Sequence, residues 1–141
     1  MLNRGEVYFG LKGQDFDPDQ ATKIIGLAPT SVRFKGKIGT PIYVKYSSWK
    51  YSSGEIEHAY IDVYKMSSDL VSILTPYKEK LKFAKLELGL IATFQIVLRI
   101  STDDSMSTPA IGFDSTCIEF INAIGAEIDI DTYLLPRTGN D

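Results

Sequence analysis

The residues able to do chemistry are few. The chain holds one cysteine, Cys117, and one histidine, His58. A thiol nucleophile needs a base, so these two make the single Cys–His combination available. Cys117 falls in the first turn of a helix expected to begin after Asp114, where the helix dipole would lower a thiol pKa. It also falls on the apolar stripe of that helix with Phe120, Ile121 and Ile124, where an unpaired cysteine packs as a small hydrophobe. The stripe favours core packing, and His58 reads as a surface or capping residue near a helix start. One cysteine excludes an intramolecular disulfide and a cysteine-rich zinc site, and it fits a reducing compartment.

Asp15, Asp17 and Asp19 share the spacing of the first ligands of a calcium loop. Such a loop needs glycine at its sixth position and glutamate at its twelfth, and here these are Gln20 and Gly26. Asp17 followed by Pro18, with Gln20 beyond, is instead a helix start: the carboxylate caps and proline takes the first helical position. No glycine-rich phosphate loop, nucleophile elbow or histidine-based metal motif is present. No catalytic residue, metal or cofactor is therefore expected.

Two charged rows and one aromatic row remain. Arg33, Lys35 and Lys37 share a face of one expected strand; Glu127, Asp129 and Asp131 share a face of another. They read as two solvated faces, as rows paired across the sheet, or, for the acidic row, as a partner-binding surface. Tyr43, Trp49 and Tyr51 share a parity on a third strand, opposite Ile42, Val44 and Tyr46. Aromatic side chains anchor protein interfaces. A bulge near Ser47 and Ser48 would instead return Trp49 to the core.

The elements that must position these residues follow from periodicity. Strands are expected at 6–12, about 31–37, 42–51, 90–100 and 127–133, from their alternation. Helices are expected after Asp17, over about 57–74 with Val63, Met66, Leu70 and Ile73/Leu74 inward, over 77–86, and after Asp114. Pro76 ends or kinks the second, and Gly26 and Gly125 stop the first and last. The core should include Val7, Phe9, Ile24, Phe34, Leu70, Leu74, Ile96, Leu98, Ile121 and Ile128. Phe16-Asp17, a helix and Ile25-Gly26 are echoed by Phe113-Asp114, a helix and Ile124-Gly125, which suggests two related β-α-β units. The expected fold is α+β: a mixed, mostly antiparallel sheet of five or six strands, with three or four helices mainly on one face. It forms one domain over 1–136, with 137–141 as a flexible tail.

A formal net charge of −3 argues against nucleic acid as partner, which would call for a basic excess. No apolar run approaches the ~20 residues of a membrane helix, and the first residues lack the apolar stretch of a signal peptide. A cytoplasmic location away from the membrane is expected.

The order of landmarks resembles a bacterial family known as domain-of-unknown-function family 4279. The residues carrying the likeness are Phe16-Asp17-Pro18, then Gly26-Leu27-Ala28-Pro29-Thr30, Arg33, Lys35-Gly36, and Trp49 within the stretch from Ser47 to Ser52. The ending from Gly125 to Asp131 completes it. The resemblance implies a compact α+β domain of bacterial origin and no known reaction; some members look immunity-like. The expected function is a non-catalytic binding protein that recognises a toxin-like or other protein, with Tyr43, Trp49, Tyr51, Arg33 and Lys35 as binding residues. The alternatives are a small enzyme or small-molecule binder with a pocket near Trp49, and a homodimer built on a sheet edge.

Overall fold

A computed structural model describes residues 1–36 and 45–136. In chain order its elements are β1 (Asn3–Gly13), α1 (Pro18–Ile25), β2 (Ser31–Arg33), β3 (Ser47–Ser52), β4 (Ile56–His58) and α2 (Val63–Leu74). A 3-10 turn at Thr75–Tyr77 leads to α3 (Lys78–Leu88), β5 (Ile91–Ile100), α4 (Ser115–Ile124) and β6 (Glu127–Leu134). The expected calls at Lys37, Ile42, Tyr43 and Val44, and the tail at 137–141, lie outside the described residues.

The strands form one sheet in the order β2-β3-β1-β5-β6, with β4 beside β3 on the same edge of β1. Among the described strands only the β5–β6 pair is hydrogen-bonded in parallel. Alternation on β1 sets the whole arrangement, because successive side chains of a strand point to opposite faces. Val7, Phe9 and Leu11 are fully buried. They sit in register with Ile96, Phe94 and Ala92 of β5, which are buried as well. The helices contribute to the same core: Ala21 and Ile25 from α1, Leu70 and Leu74 from α2, Leu81 and Ala84 from α3, Phe120 and Ile124 from α4. Phe120 meets the Phe9 ring edge-on at 6.4 Å. The opposite face of the sheet, which carries Glu6, Tyr8, Gly10 and Lys12, is not covered by the helices.

Local chemistry fixes the helix ends. Asp17 accepts from the Asp19 amide and Asp114 from the Cys117 amide, while Gly26 and Gly125 close their helices in the left-handed conformation. Asp62 does the same for α2, accepting from the Lys65 amide. That cap corrects the expected helix start: residues 57 and 58 belong instead to β4, paired with Arg4 and Asn3 of β1. His58 is accordingly a strand residue, with Nδ1 accepting from the Tyr60 amide at 3.0 Å. The two β-α-β units are both present and share these caps. β5 and β6 pair directly, whereas β3 inserts between β1 and β2.

Four core expectations change. Ile128 is exposed, because β6 is an edge strand and every one of its residues is exposed. Ile24 is half-buried against the margin of the core, Phe34 is half-buried in a hollow with Phe16 and Asp17 instead, and Ile73 points outward from α2. A buried polar residue also joins the packing. Asn3 donates from Nδ2 to the carbonyls of Ala59 and Ser107 and accepts at Oδ1 from the Ser101 amide at 2.7 Å, tying two loops to the start of β1.

Leu98 is fully buried on the core face of β5. Leu98→Ala should lower the unfolding free energy by about 2–5 kcal/mol, from lost burial and the cavity left behind. Urea denaturation checks this, and an unchanged midpoint would show that the core is placed wrongly.

Candidate functional site on the open sheet face

The open face has a concavity centred on Gly10. In register, Gly10 lies between Lys50 of β3 and Thr93 of β5. With no side chain there, the neighbouring side chains stand around a depression of about 290 Å³. Its walls include Tyr8, Lys12, Arg33, Lys50, Ser31 and Thr93. The adjacent row runs Arg33, Ser48, Lys12 across β2, β3 and β1. Three cations therefore meet around one glycine, and among the described residues no carboxylate lines the depression.

The groups differ in how firmly they are held. Lys50 Nζ lies 3.2 Å from Glu6 Oε2 and 3.9 Å from the centre of the Tyr8 ring. That ring packs beside Gly10, where a Cβ would come within 3.5 Å of it. Burial raises the Tyr8 phenol above its ordinary pKa, and Glu6, Asp131 and Asp129 raise it further. The hydroxyl thus stays protonated at neutral pH and is a hydrogen-bond donor. Arg33 and Lys12 join none of the ion pairs among the described residues. Lys12 Nζ stands 5.7 Å from the Tyr46 ring. The depression offers a donor hydroxyl and two cations free of carboxylate partners, which suits an anionic group.

The other concavities are less suited to a charged ligand. A groove of about 560 Å³ between β4 and α2 is largely apolar, lined by Ile56, Tyr60, Met66 and Ile73, with Lys65 paired to Asp69 at 2.9 Å. Cys117 lines a third, with Asp114, Ser68 and Ser72. The Cys117 residue is fully buried, and burial, with Asp114 adding to it, pushes the thiol up to about 12. The thiolate is absent at neutral pH, so the N-terminal helix position does not activate it. His58 lines the groove along Met66 and Ile73 of α2, whereas Cys117 sits against Ser68, Ser72 and Thr75. The two are not brought together at one cavity.

The expected binding residues divide. Arg33 is at the depression. Lys35 lies past the end of β2, beside Asp15, Asp17 and Asp19 in a separate shallow hollow. Trp49 and Tyr51 do share a parity, and it is the inward one. Trp49 has no exposed surface and donates from Nε1 to Thr22 Oγ1 of α1 at 3.0 Å. Tyr51 is half-buried against the core. Trp49 therefore leaves the list of contact residues; its strand reaches the core face in unbroken register, without a bulge between Ser47 and Ser52. The pairing of the two charged rows is also corrected. β2 and β6 are opposite edges, four strand spacings of about 4.8 Å apart, so Arg33 and Asp129 cannot be cross-strand neighbours.

Sequence reasoning passed over Tyr8, Gly10, Lys12 and Thr93. Gly10 carried a signal, since a lone glycine within an alternating strand marks a close approach or a gap.

The family model described as "Domain of unknown function (DUF4279)" matches residues 3–135. The chain belongs to this family. The match takes in every strand and helix of this DUF4279 domain, the open face included. No curated protein and no solved structure matches it.

Trp49 is the one tryptophan, so its emission reports the core directly. Native fluorescence should be blue-shifted and resistant to iodide, and should shift red on unfolding. Emission near that of free indole, readily quenched in the native state, would place Trp49 at the surface.

Proposed function

We propose that this chain is a non-catalytic binding protein whose open sheet face recognises an acidic surface on another protein. Lys12, Arg33 and Lys50 converging on the space above Gly10 carry the reading. A carboxylate entering there would accept from the Tyr8 hydroxyl and from Arg33, in a setting partly shielded from water, where charge-assisted hydrogen bonds are strongest. The cations would also speed encounter with an acidic partner. An immunity-type role in the bacterial cytoplasm, with a toxin-like protein as the partner, is the biological form of this reading. Its support is the family resemblance, and the recognition chemistry does not depend on it.

A second reading has a specific observation behind it. The depression is concave and of small-ligand size, so a compact anion such as phosphate or citrate would reach the same groups.

The test is an NMR titration with a peptide of about ten residues rich in glutamate and aspartate, and separately with inorganic phosphate. Amide shifts should centre on Gly10 and Thr93, weaken with added salt, and be reduced at least about tenfold by Arg33→Glu combined with Lys12→Glu. Saturation by phosphate alone would favour the small-anion reading. Equal binding of a lysine-rich peptide, or shifts centred elsewhere, would overturn both.

A further inference from the structure

The far edge of the sheet has a different character. β6 is eight residues long and, among the described residues, is hydrogen-bonded only on its β5 side. Its other side is a row of backbone donors and acceptors without strand partners, the template for adding another strand. Its even-numbered residues continue the core face. Ile128 and Ile130 stand in register with Phe94 and Ile96, which are fully buried, yet are themselves 43% and 39% exposed. Its odd-numbered residues carry Glu127, Asp129 and Asp131 on the open face, and none of these carboxylates joins an ion pair among the described residues.

This pattern selects against a second copy. In an antiparallel pair, directly opposed residues share a face. The two-fold registers that pair the most residues, centred on Ile130 or Asp131, set Asp129 opposite Asp131 or Asp131 opposite itself. Registers displaced by one residue set carboxylates beside isoleucines. Like charges directly opposed destabilise a strand pair. An edge whose role was only to repel other strands would not need an exposed apolar row on its other face. A strand with basic side chains opposite the carboxylates and apolar ones opposite Ile128 and Ile130 satisfies both rows at once.

We infer that β6 is a docking edge for an extended segment of a partner protein in which basic and apolar residues alternate, added to the sheet as a seventh strand. The backbone row gives the affinity and the two side-chain rows give the register. The site is separate from the basic depression, and the opposite charge of its ligand distinguishes it from that depression.

The test uses three synthetic peptides of about nine residues: one alternating lysine and valine, one alternating glutamate and valine, and one with the same lysines and valines in separate blocks. Two-dimensional NMR follows the native chain. The alternating lysine–valine peptide should shift and protect from exchange the amides of residues 127–134. It should bind at least about tenfold more tightly than either control. Glu127→Lys combined with Asp129→Lys changes two exposed side chains and should reverse the preference toward the glutamate–valine peptide. Unchanged Trp49 emission verifies that this variant is folded. Equal binding of the block peptide would reduce the contact to charge alone and overturn the inference. So would shifts away from β6, the absence of binding at millimolar peptide, or a dimer of the chain alone that protects the β6 amides.

Discussion

The alternation of side chains along β1 is the constraint on which the rest of the structure depends. This strand pairs with β3, β4 and β5 at once, so its parity becomes the parity of the sheet. A slip of one residue would turn Val7, Phe9 and Leu11 outward and bring Glu6, Tyr8 and Lys12 against the helices. Burying those charges without partners would cost far more than the core could offset. The helices reinforce the same choice. Lys80 and Lys85 of α3 reach the C-terminal ends of α1 and α4, where Nζ of each lies 3.7 and 2.9 Å from where a Cβ on Gly26 and Gly125 would stand. Cations there complement the carbonyl ends of both helices, so α3 joins the two β-α-β units electrostatically as well as by packing.

One consequence is a sheet whose open face is divided by charge. Arg33, Lys50 and Lys12 lie toward the β2 edge, and Glu127, Asp129 and Asp131 follow β6. Tyr8 sits between them, its phenol raised by burial and by Glu6, Asp131 and Asp129, and lowered by Arg33. A net charge of −3 conceals this division, because the total averages two regions of opposite sign. Recognition depends on where on the sheet each charge stands rather than on the total.

What was legible in the sequence was short in range. Asp17 and Asp114 announced helix starts and Gly26 and Gly125 announced helix ends, because capping involves only neighbouring residues. The strands with full alternation, β1 and β5, were legible for the same reason. What was not legible depended on pairing. β4 is three exposed residues whose strand character comes from the edge of β1. Ile128 has an ideal core pattern and is exposed because β6 fell at the edge. The parity of Trp49 with Tyr51 was readable, but which face was inward was not, since that depends on α1 bringing Thr22 to the indole. Gly10 acquires its role only when Lys50 and Thr93 are placed on either side of it.

The most direct measurement of this two-faced sheet is solvent relaxation enhancement with an inert paramagnetic chelate, read on side-chain protons along β1 and β5. Tyr8, Thr93 and Val97 should relax strongly, while Phe9, Phe94 and Leu98, their alternates, should be protected. A period of two along β1 is the expected result, and along β5 as well except at Gln95, which is buried beside Tyr8 on the open face. Equal protection of both sets would mean that the open face is covered, and would contradict the placement of the binding site there.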